Sequence, residues 1–312
     1  MAKQAVLLLA HGTADKIEEI PEYLLKVTGG RPLPEKVVEE IQHRYALIGH
    51  SPLTEITLQQ ARLVEAEFAK SGQDLRVYVG MRNWHPYIAD TIHQMRADGV
   101  QQIVAICLAP HNSRTSVGLY RRAVEAESGG LSVDFTAGWA DHPLLIEAFA
   151  ERLRSALAKL TQETAEAVPV LFTAHSVPAR TLEASEGQPG DPYAQEARRT
   201  AELVAGRVPE LVSWRFAFQS QGASGGPWIG PTVEETLADF AAAGVKTVLL
   251  QPIGFLCDHV EILYDVDLLF REHAARLGIR LERPESLNAS PKLAAALADL
   301  AQNGLTRLAS GR

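Results

Sequence analysis

An internal repeat is the sequence feature that most constrains the fold. The apolar run ending in Ala10-His11 resembles the one ending in Ala174-His175. AICLAPH at 105–111 likewise resembles LLQPIGFLCDH at 249–259, since both place a proline and then a histidine after an apolar run. WADHPLLIEAFAERL (139–153) parallels LNASPKLAAALADL (287–300), where each segment begins a helix with a proline in its first turn. Such a repeat predicts two related halves.

Apolar runs alternate with longer amphipathic segments along the whole chain. The runs are continuously apolar, which is typical of parallel strands covered by helices on both faces. The pattern predicts an α/β fold of two Rossmann-like halves, each a four-stranded parallel sheet flanked by helices. We predict strands at 5–10, 75–80, 102–109, 132–138, 168–174, 213–219, 245–253 and 279–282. We predict helices at 55–71, 86–98, 115–127, 141–160, 231–243, 258–277 and 290–308.

The seam between the halves is predicted near 160–167. The N-terminal half would be 1–165 and the C-terminal half 166–312, joined by the polar, proline-ending linker 159–169. The last helix (290–308) is expected to pack back on the first half.

Composition excludes several classes of protein. Acidic residues outnumber basic ones by 38 to 30, and the formal charge of −8 argues against a nucleic-acid-binding protein. The two cysteines, Cys107 and Cys257, lack the spacing of a disulfide framework, a zinc site or an iron–sulfur cluster, which indicates a reducing compartment. No apolar run approaches the ~20 residues of a membrane-spanning helix, so no integral membrane segment and a cytoplasmic location are expected.

Polar clusters follow the predicted strands at four places. They are 11–13, 110–113, 175–178 and 258–261. Ligands of open parallel sheets bind beyond the carboxyl ends of the strands, so we expect these clusters to line one cleft between the halves. The long segment 12–53 falls at the same end and is predicted to form a lip over the cleft.

Several longer stretches resemble the ferrochelatase family over nearly the whole chain. They are GGRPLPEKVVEEIQHRYALIGHSPLTEITLQQA (29–61), VYVGMRNWHPYI (77–88), FTAHSVP (172–178), QSQGASGGPWIGP (219–231) and PIGFLCDHVEILYD (252–265). The resemblance implies the two-domain chelatase fold. It also implies insertion of ferrous iron into a porphyrin, with no cofactor beyond the substrate Fe²⁺.

By this resemblance, His175 and Glu261 are the paired catalytic and metal-handling residues. Insertion of the metal requires that two pyrrole protons leave, and a neutral imidazole can accept one of them near neutral pH. A facing carboxylate can coordinate ferrous iron or relay the second proton. Gram-positive-type members usually carry a tyrosine at position 11, so we predict that His11 is an additional iron ligand from the opposite face.

The resemblance assigns substrate carboxylates to Arg44, Ser51 and Tyr120, and to Arg31, although the arginine common in relatives is replaced here by Thr28. Glu261, Asp265 and Glu272 are predicted to share one helix face, as a path for hydrated cations. Relatives often carry a further acid where Leu269 stands. A solvated surface explains Glu272 about as well.

For several other polar residues a structural role is expected. His111, His142 and His259 are expected to cap helices or support the site. Ser176 lies too close to His175 in sequence for a nucleophile–base pair, which argues against a hydrolase.

The stretches SWRFAFQ and QSQGASGGPW look like the branch that uses coproporphyrin III, to give coproheme, and the absence of a hydrophobic lip patch is expected to fit this water-soluble tetracarboxylate. Alternatives are a protoporphyrin IX ferrochelatase, a chelatase of another tetrapyrrole such as sirohydrochlorin, and a tetrapyrrole- or metal-binding carrier without turnover. The expected partners are the porphyrin, ferrous iron and a haem-accepting enzyme downstream, and the expected state is a monomer.

Overall fold

Two parallel four-stranded sheets with the same strand order form the framework of the protein. The computed structural model describes residues 2–184, 189–221 and 226–310. In these ranges the sheet orders are β2-β1-β3-β4 and β6-β5-β7-β8, which confirms the predicted α/β fold. The strands are β1 Gln4–Ala10, β2 Arg76–Met81, β3 Gln102–Cys107, β4 Ser132–Thr136, β5 Val170–His175, β6 Trp214–Gln219, β7 Thr247–Pro252 and β8 Arg280–Glu282.

Helices connect the strands and cover both faces of each sheet. They are α1 Ile20–Val27, α2 Glu35–Ile48, α3 Leu53–Lys70, α4 Ile88–Ala97, α5 Val117–Glu127, α6 Pro143–Thr164, α7 Tyr193–Ala205, α8 Val233–Ala242, α9 Arg271–Arg276 and α10 Pro291–Ser310. A π-helix, Glu261–Phe270, runs directly into α9. The predicted helix 258–277 is therefore present, but its first part is wound more loosely than an α-helix.

Helix α7 was not predicted. Its buried face consists largely of small side chains, namely Ala197, Ala201 and Thr200, with Val204. These buried positions recur every three to four residues, so the sequence here does carry the pattern of an amphipathic helix.

The predicted linker 159–169 was wrong over its first part. Helix α6 continues to Thr164 because Leu160, which is 4% exposed, still packs in the core. The helix ends at Ala165, whose φ of 55° is left-handed. The helix begins at His142, whose Nδ1 accepts a hydrogen bond from the amide of Leu144 (3.3 Å), so His142 is a cap as expected.

One apolar core joins the two sheets. It contains strand residues from both, such as Leu8 and Phe172, together with Phe149 of α6. Helix α10 packs against β3, β4 and α3 of the first half. A side chain at Gly304 would place its Cβ 2.5 Å from Cγ1 of Val104, so only glycine permits this close approach. The domain boundary at 165/166 stays a prediction.

The segment between β1 and α3 forms a small apolar cluster of its own. Helices α1 and α2 pack together through Tyr23, Leu24 and Tyr45, with Trp84 beneath them. Val260, next to the π-helix, is packed against this cluster. The predicted lip segment 12–53 thus consists of two short helices anchored beside the carboxyl ends of the strands.

Candidate functional site

A cavity of about 380 Å³ lies between the halves, at the carboxyl ends of the strands. All four polar clusters contribute to its lining, through residues that include His11, His111, His175 and Glu261. The convergence follows from topology, because parallel strands in both sheets end at the same edge.

His175 and Glu261 face each other in this cavity. Nε2 of His175 lies 3.5 Å from Oε2 of Glu261, although 86 residues separate them along the chain (261 − 175 = 86). Nδ1 of His175 donates a hydrogen bond to the carbonyl oxygen of Ser176. Because a carbonyl can only accept, Nδ1 is the donor of this hydrogen bond, so in the neutral form of the ring Nε2 is the acceptor nitrogen.

Glu261 has competing influences on its ionisation. Burial opposes the charged form, but the imidazoles of His175, His259 and His11 and the guanidinium of Arg44 outweigh it, so the pKa of Glu261 lies below its ordinary value. Oε2 of Glu261 is buried without a hydrogen-bond partner among the described residues. A buried carboxylate oxygen of this kind is available to a cation or a proton.

His11 lies in a different environment within the same cavity. The amide nitrogen of Asn83 is 3.0 Å from its Nε2, and a guanidinium nitrogen of Arg82 is 3.5 Å from its Nδ1. Burial and then the charge of Arg82 lower the pKa of His11 to about 4, so the ring is neutral at neutral pH. Gly12 makes the tight turn after His11 possible, since its φ is 81° and a Cβ would lie 2.8 Å from the amide nitrogen of Trp84.

The predicted substrate-binding residues are placed at different distances from the cavity. Only Tyr120 is part of its lining. Ser51 is buried close to it, two residues before the lining residue Leu53, and its hydroxyl lacks a partner in the described part of the chain. Arg44 stacks 5.0 Å from the ring centroid of Tyr264 and pairs with Glu40, while Arg31 is exposed and donates to the carbonyl of Thr28.

The row of acids after Glu261 does not form one solvated face. Asp265 is 9% exposed, accepts a hydrogen bond from the hydroxyl of Ser220, and has its pKa raised to about 6, chiefly by burial. Glu272 is exposed and pairs with Arg276 at 3.0 Å. Asp265 stays close enough to Glu261 for that carboxylate to raise its pKa further, whereas Glu272 lies beyond the π-helix in solvent, so the path for hydrated cations stays a prediction.

Two residues that line the cavity were not predicted from the sequence. Arg82 lines the cavity, with its guanidinium 5.5 Å from the ring centroid of Tyr120 and beside His11. Its position directly after β2 was the available signal. Tyr193 also lines the cavity and donates from its hydroxyl to the carbonyl oxygen of His175 (2.9 Å), but it begins the helix that was missed.

The other candidate histidines are engaged in structural contacts. Nε2 of His111 is 3.0 Å from the hydroxyl of Thr200, and Nδ1 of His259 is 3.0 Å from the carbonyl oxygen of Cys257. Within the described ranges, no three His, Cys, Asp or Glu side chains are grouped so as to hold a metal ion. Nor does any described helix combine the length and apolarity needed to span a membrane. Residues 222–225 of the QSQGASGGPWIGP stretch lie outside the described residues.

Comparison with known proteins agrees with this geometry. The family model for ferrochelatase matches residues 3–305. A ferrochelatase of Acidobacterium capsulatum is 57% identical over 98% of this chain and 96% of its own length. A coproporphyrin III ferrochelatase of a Geobacillus species is 33% identical over 95% of this chain and 96% of its own.

Solved structures show the same fold at low sequence identity. A sirohydrochlorin chelatase of Bacillus subtilis subspecies spizizenii, in complex with cobalt, superposes with a TM-score of 0.56 at 11% identity and covers 98% of this chain and 96% of that one. Since two matching halves, the cavity between them and the sequence relatives all agree, the chain belongs to the ferrochelatase family, whose members are metal chelatases of haem biosynthesis.

Proposed function

We propose that this protein is a lyase-class enzyme that inserts ferrous iron into coproporphyrin III to give coproheme. The observation that carries the proposal is the pair of His175 and Glu261, 3.5 Å apart in a cavity between the halves. One base and one carboxylate at this spacing can take the pyrrole protons and deliver the metal in the same place.

The two residues divide the chemistry by their protonation states. Nε2 of His175 presents a lone pair and accepts a proton from a pyrrole nitrogen. Glu261 is favoured as a carboxylate, so it attracts Fe²⁺ and takes part in removal of the second proton. A porphyrin bound in the cavity would have to be bent to expose a nitrogen lone pair, with the strain supplied by contacts at its rim.

We assign His11, on another wall of the cavity, the role of an additional iron ligand. A neutral imidazole is a competent iron ligand, and its low pKa keeps it neutral. Coordination through Nε2 requires that the ring release the amide of Asn83, which lies 3.0 Å away.

Polar groups around the cavity support a tetracarboxylate substrate. Arg82, Tyr120, Thr115 and Ser116 line it, and Arg44 is near enough to influence Glu261. Guanidinium groups bind carboxylates through paired hydrogen bonds, and hydroxyls add neutral ones. Ser51 and Arg31 remain proposed contacts from the lip.

One observation favours protoporphyrin IX instead. Leu25 and Val27 of α1 and Leu47 of α2 are 40%, 41% and 53% exposed, whereas no hydrophobic patch was expected on the lip. Exposed apolar side chains on the lip segment suit a less polar macrocycle.

Anaerobic insertion of ferrous iron into the two porphyrins, measured side by side, tests the proposal. We expect kcat/KM for coproporphyrin III to exceed that for protoporphyrin IX by at least roughly tenfold, because unmatched carboxylate-binding groups penalise the dicarboxylate. An equal or greater value for protoporphyrin IX would reverse the substrate assignment. Tight binding without insertion would identify a carrier.

We also propose a cytoplasmic monomer that passes its product to a haem-accepting enzyme. No resident cofactor or iron–sulfur cluster is required by this chemistry.

A further inference from the structure

We propose that Tyr193 is a positioning residue for His175, because it holds the main chain whose carbonyl selects the tautomer of the imidazole. Helix α7, which begins with Tyr193, connects this main chain to the first half of the protein. The inference rests on the proposed function only in taking His175 as the proton-accepting group.

The peptide unit between His175 and Ser176 is held on both sides. Its carbonyl oxygen accepts from the hydroxyl of Tyr193 at 2.9 Å, and its N–H donates to the carbonyl oxygen of Gln219 at 2.6 Å. A peptide unit is planar, so fixing its oxygen and its nitrogen fixes its orientation. The hydroxyl of Ser176 donates in turn to the carbonyl of Ile229 at 2.9 Å.

The next carbonyl along the chain sets the imidazole. The carbonyl of Ser176 accepts from Nδ1 of His175, so its direction decides which ring nitrogen carries the proton. With Nδ1 protonated, Nε2 is the acceptor and lies 3.5 Å from Glu261. Tyr193 thus acts on the imidazole through the His175–Ser176 peptide unit and the Ser176 carbonyl that follows it.

Asp191 fixes Tyr193 relative to the first half. One of its oxygens accepts from the amide of Tyr193 at 3.1 Å and caps α7, while the other accepts from the amide of Arg114 at 2.8 Å. The second oxygen also lies 3.3 Å from the hydroxyl of Ser113. The Asp191 side chain is 1% exposed, so a single buried carboxylate joins the start of α7 to the loop between β3 and α5.

Later turns of α7 also form hydrogen bonds with the loop between β3 and α5. Glu196 accepts from the amide of Asn112 at 2.6 Å, and Thr200 bonds to Nε2 of His111 at 3.0 Å. The ring of Tyr193 meets that of His111 edge to face, with centroids 6.0 Å apart. His111 and Ser113 line the cavity, so a substrate that contacts this loop also bears on the group that orients His175.

The deciding experiment is the tautomer of His175 in the Tyr193→Phe variant. Phenylalanine keeps the ring that packs on His111 and removes only the hydroxyl. Histidine ¹⁵N NMR at a pH where imidazole is neutral, with His175 assigned from its absence in His175→Gln, reports which nitrogen is protonated. We expect the wild type to be protonated at Nδ1 and Tyr193→Phe to show a population protonated at Nε2. We expect kcat for iron insertion to fall roughly tenfold, with the porphyrin KM changed less than about twofold.

Tyr78→Phe is the matched control, since it also removes the hydroxyl of a buried tyrosine, one bonded to Asp98 away from the cavity. Tyr78→Phe should leave the tautomer of His175 and kcat unchanged, while lowering thermal stability about as much as Tyr193→Phe does. Nδ1 protonation retained in full in Tyr193→Phe overturns the proposal, whatever the activity. An unchanged kcat with a raised KM also overturns it and makes Tyr193 a substrate contact. A wild type that inserts no iron would refute the proposed function but leave the tautomer result standing.

Discussion

His11 and His175 occupy equivalent positions in the two halves, yet their surroundings differ in charge. Each follows an alanine at the carboxyl end of a strand that is second in the order of its sheet. Beside His11 stand two donors, Arg82 and Asn83, whereas His175 faces the carboxylate of Glu261. The same motif on the same topology therefore stands in two environments: burial and then the charge of Arg82 lower the pKa of one imidazole, whereas the other faces a carboxylate.

The helices that follow the third strand of each half also differ, in how tightly they are wound. After β3 the chain enters α5, a regular α-helix, and the buried His111 beside it bonds to Thr200. After β7 the chain enters a π-helix whose first residue is Glu261. Loosely wound helices are rare and concentrate at functional sites. The duplication supplied two frameworks, and the facing pair of His175 and Glu261 lies in the second.

Glu261→Gln is the strongest test of the difference between the two halves, because it removes the charge of the carboxylate and keeps the shape of the side chain. We expect kcat for iron insertion to fall by roughly 10²- to 10⁴-fold, as for loss of an acid–base group. Glu272→Gln is the matched control on the continuing α9, because that exposed carboxylate pairs only with Arg276 among the contacts described here. A comparable loss in Glu272→Gln, or full activity in Glu261→Gln, would contradict the special role given to the carboxylate of Glu261.

Arg283→Met tests what holds the π-helix. The guanidinium binds both oxygens of Asp267, at 2.7 and 2.8 Å, and lies 3.1 Å from Asp258 just before the helix. The side chain is only 11% exposed, so its removal leaves two partly buried carboxylates without this cation. We expect the free energy of unfolding in urea to fall by about 2–4 kcal/mol. Arg271→Met, whose side chain is 43% exposed, should cost less than about 1 kcal/mol. Equal losses in the two variants would show that Arg283 has no special part in holding the helix.

Arg82→Leu sharpens the contrast between the two histidines. Removing the cation should move the pKa of His11 from about 4 part of the way back toward 6.5, since burial, the larger cause, remains. The folded-state pKa lies below the unfolded one, so stability is lost as pH falls from 6.5 toward 4, and the variant should lose less in that window. NMR titration of the ring measures the pKa. Arg121→Leu, whose guanidinium stacks on Phe135 away from His11, should leave it unchanged.

Sequence reasoning predicted the sheets well because each strand carries its own signal. Continuous apolar runs such as AVLLLA and VPVLFTA can be buried only between two layers of helices, and every strand found lies at or near a predicted one. The convergence of His11, His175 and Glu261 on one cavity also followed, because parallel topology places strand ends at one edge.

Contacts between distant segments were decided only by the tertiary structure. The loose winding after Val260 accompanies Asp258 and Asp267 meeting an arginine from beyond β8. Local sequence encodes which segments are strands and where they end, because the apolar content of a run is a property of that run alone. It does not encode which charge stands beside each imidazole, because that depends on side chains brought together from both halves.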